Sequence, residues 1–170
     1  MASPVSKSEP ASRQQLFLLF RIGTDRYALD SSEIAEVLAQ RRLKQLPGAP
    51  PWVAGVLTHR GQTLPVIDLA LRTGRASAQH KTSTRLVLVH YQRRTAPDAP
   101  TLLGMILEQA TDTLRCRASD FREYGLDNRD TPFLGPVLEH PQGLIQRITV
   151  HSLLPDDVHA VLFPAAGDAT

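Results

Sequence analysis

The residues of this sequence that could do chemistry are six histidines, one cysteine and one acidic pair. The histidines are His59, His80, His90, His140, His151 and His159. They show no tight ligand spacing and no companion cysteine pair, which a zinc site normally has. Cys116 is the single cysteine and favours a reducing compartment. Asp156-Asp157 is typical of a solvated helix turn rather than a catalytic dyad. We therefore predict no catalytic residue, no metal and no cofactor.

The common catalytic signatures are also missing from the sequence. It has no Gly-x-Ser-x-Gly elbow, no phosphate-binding glycine loop and no His-Glu-x-x-His pair. A small enzyme stays open as an alternative only if distant side chains converge, for which Asp68, Arg60 and His59 are the candidates. A binding module explains the composition more simply, and we predict that the protein is not an enzyme.

Charge offers a second alternative, a small barrel that binds nucleic acid. The 170 residues include 19 Lys and Arg against 17 Asp and Glu, which leaves a formal charge of only +2. The best basic candidates are Arg41-Arg42-Lys44 and Arg115 with Arg117. Aromatic residues make up only 5% of the chain and sit inside apolar runs, where core packing is the simpler role. We therefore expect no nucleic acid among the partners.

The elements that must position any site are predicted as four hairpins. Turn residues separate paired apolar segments, which are typical of β-strands. The pairs are Leu16–Phe20 with Tyr27–Leu29, Trp52–Thr58 with Leu64–Ile67, Arg85–Tyr91 with Thr101–Leu107, and Phe133–Leu138 with Leu144–Val150. Many short strands without a βαβ rhythm predict a mainly β protein of two small barrels.

Short helical segments are predicted between the strands. Asp30 and Asp68 are suited to capping turns, Ser119 to capping a helix through Tyr124, and Ser152 to Phe163 to a C-terminal helix that Pro155 interrupts early. Residues 16–163 then form one domain, flanked by disordered tails at residues 1–15 and 164–170. Apolar runs are too short for a signal peptide or a membrane span, which predicts a cytoplasmic protein without direct membrane insertion.

One segment is specific enough to suggest a family. It runs from Val53 to Leu69 and combines a Gly55-Val56 strand, an Arg60-Gly61 turn and a second strand reading Pro65-Val-Ile-Asp-Leu69. This segment resembles the signature region of CheW-like domains, the coupling proteins of bacterial chemosensory arrays. Supporting segments occur in the same order on both sides, so the resemblance covers roughly residues 16–163.

The resemblance implies two small SH3-like β-barrels with a groove between them. It implies a non-catalytic adaptor that binds the regulatory domain of a CheA-type histidine kinase and the cytoplasmic tip of a methyl-accepting chemoreceptor, and that is recruited to membrane receptor arrays. Glu36 and Arg60 match polar positions at the receptor-facing groove. The apolar groove candidates are Val37, Leu38, Val56 and Leu57. Each of these four could equally be a core residue, because one face of every strand must be buried.

Several residues depart from the family pattern. Gln146 and Arg147 fall in the last strand, where aliphatic residues are usual, and Pro136 enters the strand before it. His59 beside Arg60 is also unusual. These differences predict an edge position for the last hairpin and favour a paralogue in an alternative, Wsp-type chemosensory system.

Overall fold

The computed structural model describes residues 13–93, 100–125 and 128–164, and β-strands dominate them. The strands are β1 (Gln14–Ile22), β2 (Asp25–Asp30), β3 (Ile34–Ala39), β4 (Val53–His59), β5 (Gln62–Asp68), β6 (Arg85–Tyr91), β7 (Thr101–Arg117), β8 (Leu134–His140) and β9 (Gly143–Ile148). The helices are α1 (Leu69–Arg72) and α2 (Asp156–Leu162), and 3-10 turns lie at Ser31–Glu33, Ala118–Asp120 and Val150–Ser152. The predicted mainly β class is confirmed.

All four predicted hairpins form. β1 pairs with β2, β4 with β5, β6 with β7 and β8 with β9, each in antiparallel register. Of the predicted tails, 1–15 and 164–170, residues 1–12 and 165–170 lie outside the described residues. Gln14 and Gln15 already belong to β1, where they pair with Arg117 and Cys116. The first strand therefore begins before residue 16.

The first barrel consists of β3, β6, the first half of β7, β5 and β4. β3 pairs with β6, β6 with β7, and β5 joins β7 in parallel from Val66 to Asp68. The barrel closes where the β3–β4 connection returns onto β4. There the Lys44 N–H donates to the Val56 carbonyl at 3.0 Å, and the Val56 N–H donates to the Lys44 carbonyl at 2.8 Å. We call this unit barrel one.

The second half of β7 continues into a second unit, barrel two, with β1, β2, β9 and β8. β1 pairs with β7 and β2, while β9 pairs in parallel with β2 and antiparallel with the edge strand β8. The far side of β8 meets the chain again at Arg122, which exchanges backbone hydrogen bonds of 2.8 and 2.9 Å with Val137. The predicted pair of small barrels is confirmed, and β7 is the strand that both share.

The alternation of side chains along β1 divides the apolar residues between two cores. Phe17 and Leu19 lie with Cys116, Phe121 and Ile145 inside barrel two. The intervening residues of β1, Leu18 and Phe20, belong to the larger core of barrel one and the layer between the barrels. One strand thus contributes to both cores because successive side chains point to opposite faces.

Arg72, at the end of α1, joins the two halves of the molecule. Its guanidinium lies 4.9 Å from the ring centre of Trp52 and 4.7 Å from that of Phe133, and its Nε donates to the Leu153 carbonyl at 3.1 Å. Burial lowers the pKa of Arg72, yet aromatic faces stabilise a cation at these distances. This contact holds the barrels together away from the candidate site.

Two of the predicted helices were placed wrongly. The expected helix from Ser119 to Tyr124 is a single 3-10 turn that ends at Asp120, because Arg122 pairs with β8 instead of continuing a helix. The C-terminal helix begins at Asp156 rather than Ser152, because Pro155 stands immediately before its first turn. The predicted caps are confirmed at Asp30, which accepts from the Ser32 N–H, and at Asp68, which accepts from the Leu71 N–H.

Candidate functional site

The Arg60-Gly61 turn is the projecting feature of the β4–β5 hairpin. Both residues have positive φ, 51° and 76°, and they form the two-residue loop between His59 and Gln62. Two positive φ angles are the signature of a type I′ turn, whose twist matches that of the flanking strands. Arg60 is a non-glycine residue in this conformation, and its side chain extends into solvent with 77% of its surface exposed.

Glycine at position 55 brings the rest of the site toward this turn. A Cβ on Gly55 would lie 2.4 Å from the Lys44 carbonyl oxygen, so only glycine lets the β3–β4 connection cross β4 this closely. The crossing holds β3 beside the hairpin. As a result Glu36 of β3 lies next to His59 and Arg60, although 23 or more residues separate them in sequence.

Four side chains form what we call the Glu36 cluster: Glu36, Arg41, His59 and Arg60. The Glu36 carboxylate accepts from His59 Nε2 at 2.8 Å and from Arg60 NH2 at 3.3 Å. On the other side of the imidazole, Arg41 NH1 lies 3.3 Å from His59 Nδ1. The His59 side chain is only 9% exposed, whereas that of Glu36 is 32% exposed. The cluster is thus packed at its centre and wet at its rim.

These neighbours also set the ionisation of the carboxyl group. The hydrogen bond from His59 lowers the pKa of Glu36, the positive charges of Arg60 and Arg41 lower it further, and partial burial opposes them. Glu36 is therefore a carboxylate over the neutral pH range. The expected Glu36–Arg60 pair is present in the structure, but its role in binding stays a prediction.

The four apolar candidates differ in how far their side chains are buried. Val37 is 45% exposed on β3, and Val56 is half-buried on the outer side of β4. Leu38 packs against the core of barrel one, and Leu57 is a core residue with 5% exposure. The core alternative therefore holds for Leu57, whereas Leu38 is only partly buried. A contact of Leu38 with a partner stays a prediction.

A cleft of about 650 Å³ lies beside the cluster, between the β3–β4 connection and the wall of barrel one. Arg41 belongs both to the Glu36 cluster and to the lining of this cleft. Apolar residues of the connection, such as Leu43, Leu46 and Pro51, line it together with polar ones. Arg41 is therefore the residue that the cleft and the cluster share, and the cleft extends away from the cluster as far as Asp68.

The alternative enzyme site does not assemble. Asp68 lies at the opposite end of the β4–β5 hairpin from His59 and Arg60, since Ile67 pairs with Val53 and Gln62 with His59. Its carboxylate is 3% exposed and accepts from the Ser77 hydroxyl at 2.8 Å and from the Ala78 N–H at 3.0 Å. Asp68 is a structural cap. Across the part of the chain that the structure describes, no group of three potential metal ligands occurs.

The two basic segments considered for nucleic acid lie on different barrels. Arg41, Arg42 and Lys44 follow β3 in barrel one, whereas Arg115 and Arg117 end β7 in barrel two. The aromatic side chains Phe17, Phe20 and Tyr27 are buried rather than available for stacking on bases. Among the described residues, these two basic segments and these three buried aromatic side chains do not form the combined basic and aromatic face that such binding uses.

Sequence reasoning missed two members of the site, Arg41 and His59, as binding residues. The sequence indicates Arg41 only as part of a basic run, and His59 only as an unusual neighbour of Arg60 and as a candidate of the alternative enzyme site. The signal for His59 was its place directly before a turn residue. Nothing in the sequence indicates that its ring reaches Glu36.

Among the residues that the structure describes, no helix has the length and hydropathy needed to cross a membrane.

Comparison with known proteins agrees with the fold and the motif. The family profile of the CheW-like domain matches residues 16–158. The chemotaxis protein CheW of Helicobacter pylori is 28% identical over 119 residues, which cover 70% of this chain and 68% of that protein. Protein FrzA of Myxococcus xanthus is 36% identical over 86 residues, covering 51% of this chain and 54% of FrzA.

A solved structure shows the same architecture. It is the scaffolding protein TtCheW from Thermoanaerobacter tengcongensis, with a TM-score of 0.74 and 20% identity, covering 86% of this chain and 91% of that one. Such low identity supports the fold alone, while the family match rests on the sequence. The predicted Wsp-type subtype stays a prediction. With the profile spanning both barrels and the Arg-Gly turn in its expected place, the chain belongs to the family of CheW-like coupling proteins.

Proposed function

We propose that this protein is a non-catalytic adaptor that couples methyl-accepting chemoreceptors to a CheA-type histidine kinase. The observation that carries the proposal is the Glu36–Arg60 contact. Its 3.3 Å ion pair stands at the edge of barrel one with most of the Arg60 side chain in solvent. An exposed pair of this kind contributes little to stability, typically about 0–1 kcal/mol. A binding role accounts for it better than a structural one.

The surface around the pair has the composition of a protein interface. Val37 and Val56 expose apolar area on the outside of barrel one, and the Glu36–Arg60 pair stands at the adjoining edge, since Glu36 and Val37 alternate along β3. Specific interfaces combine a desolvated apolar centre with a polar edge. We assign this surface, made of Glu36, Val37, Val56 and Arg60, to the cytoplasmic tip of the receptor. The regulatory domain of the kinase is the second partner.

An adaptor of this kind works in the cytoplasm and is recruited to receptor arrays at the membrane. Its partners hold it there. Coupling needs both contacts at once, because a bivalent linker raises the effective concentration of kinase beside receptor. Loss of either contact abolishes coupling while the protein remains folded.

The test is titration calorimetry of the full chain against two probes from the same organism, the kinase regulatory domain and a receptor cytoplasmic fragment. Saturable binding to both, with a negative heat-capacity change, is expected because apolar surface becomes buried. A second CheW-like protein that binds the same kinase domain is the positive control. Absence of binding by this chain, with the control binding normally, contradicts the proposal.

A further inference from the structure

His59 occupies the centre of the Glu36 cluster and is its most buried side chain. Its two ring nitrogens contact groups from different parts of the chain, Glu36 of β3 at 2.8 Å and Arg41 of the β3–β4 connection at 3.3 Å. Arg60 follows it directly in the turn. With a side chain that is 9% exposed, the ring has little freedom to reorient.

The partners of the two nitrogens set the hydrogen-bonding role of each. A guanidinium can only donate, so Nδ1 accepts from Arg41. A carboxylate can only accept, so Nε2 donates to Glu36. The ring of His59 therefore connects a cation to an anion.

This connection orients two guanidinium groups at once. Arg41 is held by the ring itself, and Arg60 is held by the carboxylate that the ring orients. Each guanidinium has five N–H donors, and one N–H of each group makes these contacts. The two arginines of the cluster outnumber its one glutamate, so its net charge is positive. Its outer face is suited to an anion.

We propose that His59 is a positioning residue that makes the Glu36 cluster a binding site for a partner carboxylate, an Asp or Glu side chain on the receptor helix that docks there. The inference rests on the proposed function. Arginine binds carboxylates through paired N–H donors, and orienting the donors beforehand reduces the entropy lost on binding. The cleft next to Arg41 has mixed polar and apolar walls, and its apolar residues, Leu43 and Leu46 among them, receive the apolar residues that flank that carboxylate.

Substitutions at His59 can remove its contact with Arg41 and its contact with Glu36 one at a time. His59→Asn keeps an acceptor at the position of Nδ1 for Arg41 but has no donor that reaches Glu36. His59→Gln keeps a donor at the position of Nε2 for Glu36 but has no acceptor for Arg41. His59→Ala removes both. His90 is an exposed histidine of barrel one outside the cluster, which makes His90→Ala the matched control.

The experiment measures the affinity of each variant for the receptor cytoplasmic fragment and for the kinase regulatory domain. We expect His59→Ala to weaken receptor binding about tenfold, the loss of one oriented charged contact. His59→Asn and His59→Gln should fall between alanine and the wild type, and His90→Ala should match the wild type. Added salt should weaken wild-type binding more than that of His59→Ala. Kinase binding should not change.

A spectroscopic measurement on the unmodified chain tests the same point without mutation. Long-range ¹⁵N–¹H correlation of the His59 ring should show a proton on Nε2 and none on Nδ1. A proton on Nδ1, or equal receptor affinity of His59→Ala and the wild type, overturns the role of His59 and leaves the adaptor function standing. Failure of the wild-type chain to bind the receptor fragment overturns the adaptor function itself.

Discussion

Two carboxylate–arginine clusters, one in each barrel, use the same residue types for opposite purposes. In the Glu36 cluster of barrel one, the side chain of Arg60 is largely in solvent. In barrel two, Asp30, Glu33 and Arg147 form what we call the Asp30 cluster. There Arg147 NH2 lies 3.4 Å from Asp30 Oδ2, and its guanidinium lies 5.4 Å from the ring centre of Phe17, a core residue. Asp30 also accepts from the Ser32 N–H at 2.9 Å.

The pKa shifts of the two glutamates show what the environment does. Glu36 has its pKa lowered by the hydrogen bond from His59. Glu33 has its pKa raised to about 6, mainly by burial, although Arg147 opposes the shift. One oxygen of Glu33 is buried without a hydrogen-bond partner. The first cluster leaves its charges accessible at the surface, whereas the second uses charge to hold a turn and a strand together.

The largest expected effect is a loss of stability when the Asp30 cluster loses its cation. Arg147→Met keeps apolar contact with the Phe17 ring but leaves Asp30, which is 8% exposed, without its counter-charge. We expect the free energy of unfolding to fall by about 2 kcal/mol, as for other partly buried pairs. Urea denaturation measures this loss. A midpoint equal to that of the wild type would show that the cluster is not structural.

The next effect concerns binding rather than stability. Arg60→Ala should weaken receptor binding about tenfold, because it removes one charged contact from the rim. Unfolding free energy should change by less than about 1 kcal/mol, since the pair is solvent-exposed. Calorimetry and denaturation on the same sample separate the two quantities. A large stability loss with unchanged affinity would assign the Glu36 cluster to folding.

The smallest effect is a pH dependence of stability that Glu33 causes. Its folded pKa of about 6 lies above the ordinary 4.5, so its stabilisation is present below pH 4.5 and is lost as the pH rises through 6. Because the group is partly exposed, the loss should be about 1 kcal/mol. In Glu33→Gln this loss should vanish, so the stability difference between pH 4 and pH 7.5 should decrease. An identical difference in both proteins would contradict the assignment.

The hairpins could be predicted from sequence because each depends on a local turn. Two of the hairpins turn at Arg60-Gly61 and at Gly143. A short turn of this kind determines which residues of the two flanking segments pair. Closure of the barrels could not be predicted, since Lys44 meets Val56 and Arg122 meets Val137 through long-range contacts. The wrong helix after Ser119 has the same origin. Its local capping signal was outweighed by pairing with β8.

The candidate site shows the same division between local and distant information. Glu36 and Arg60 followed from the family resemblance, but the core position of Leu57 did not. The alternation along β4 leaves open which of its two faces is inward, and only the structure shows that the buried face carries Val53, Gly55 and Leu57. The proposed role of His59 depends on the hydrogen bond between its ring and Glu36, which lies 23 positions earlier in the sequence. Only the three-dimensional structure shows this contact.

The most direct test of the account is receptor-dependent phosphorylation by the kinase, reconstituted with receptor, kinase and either Arg60→Ala or Arg147→Met. We predict that Arg60→Ala loses most of the coupling at an unchanged melting temperature. Arg147→Met should keep coupling at temperatures where it is folded, while its melting temperature falls. Full coupling with Arg60→Ala, or a specific loss of coupling with folded Arg147→Met, would contradict the division between a partner-facing cluster and a structural one.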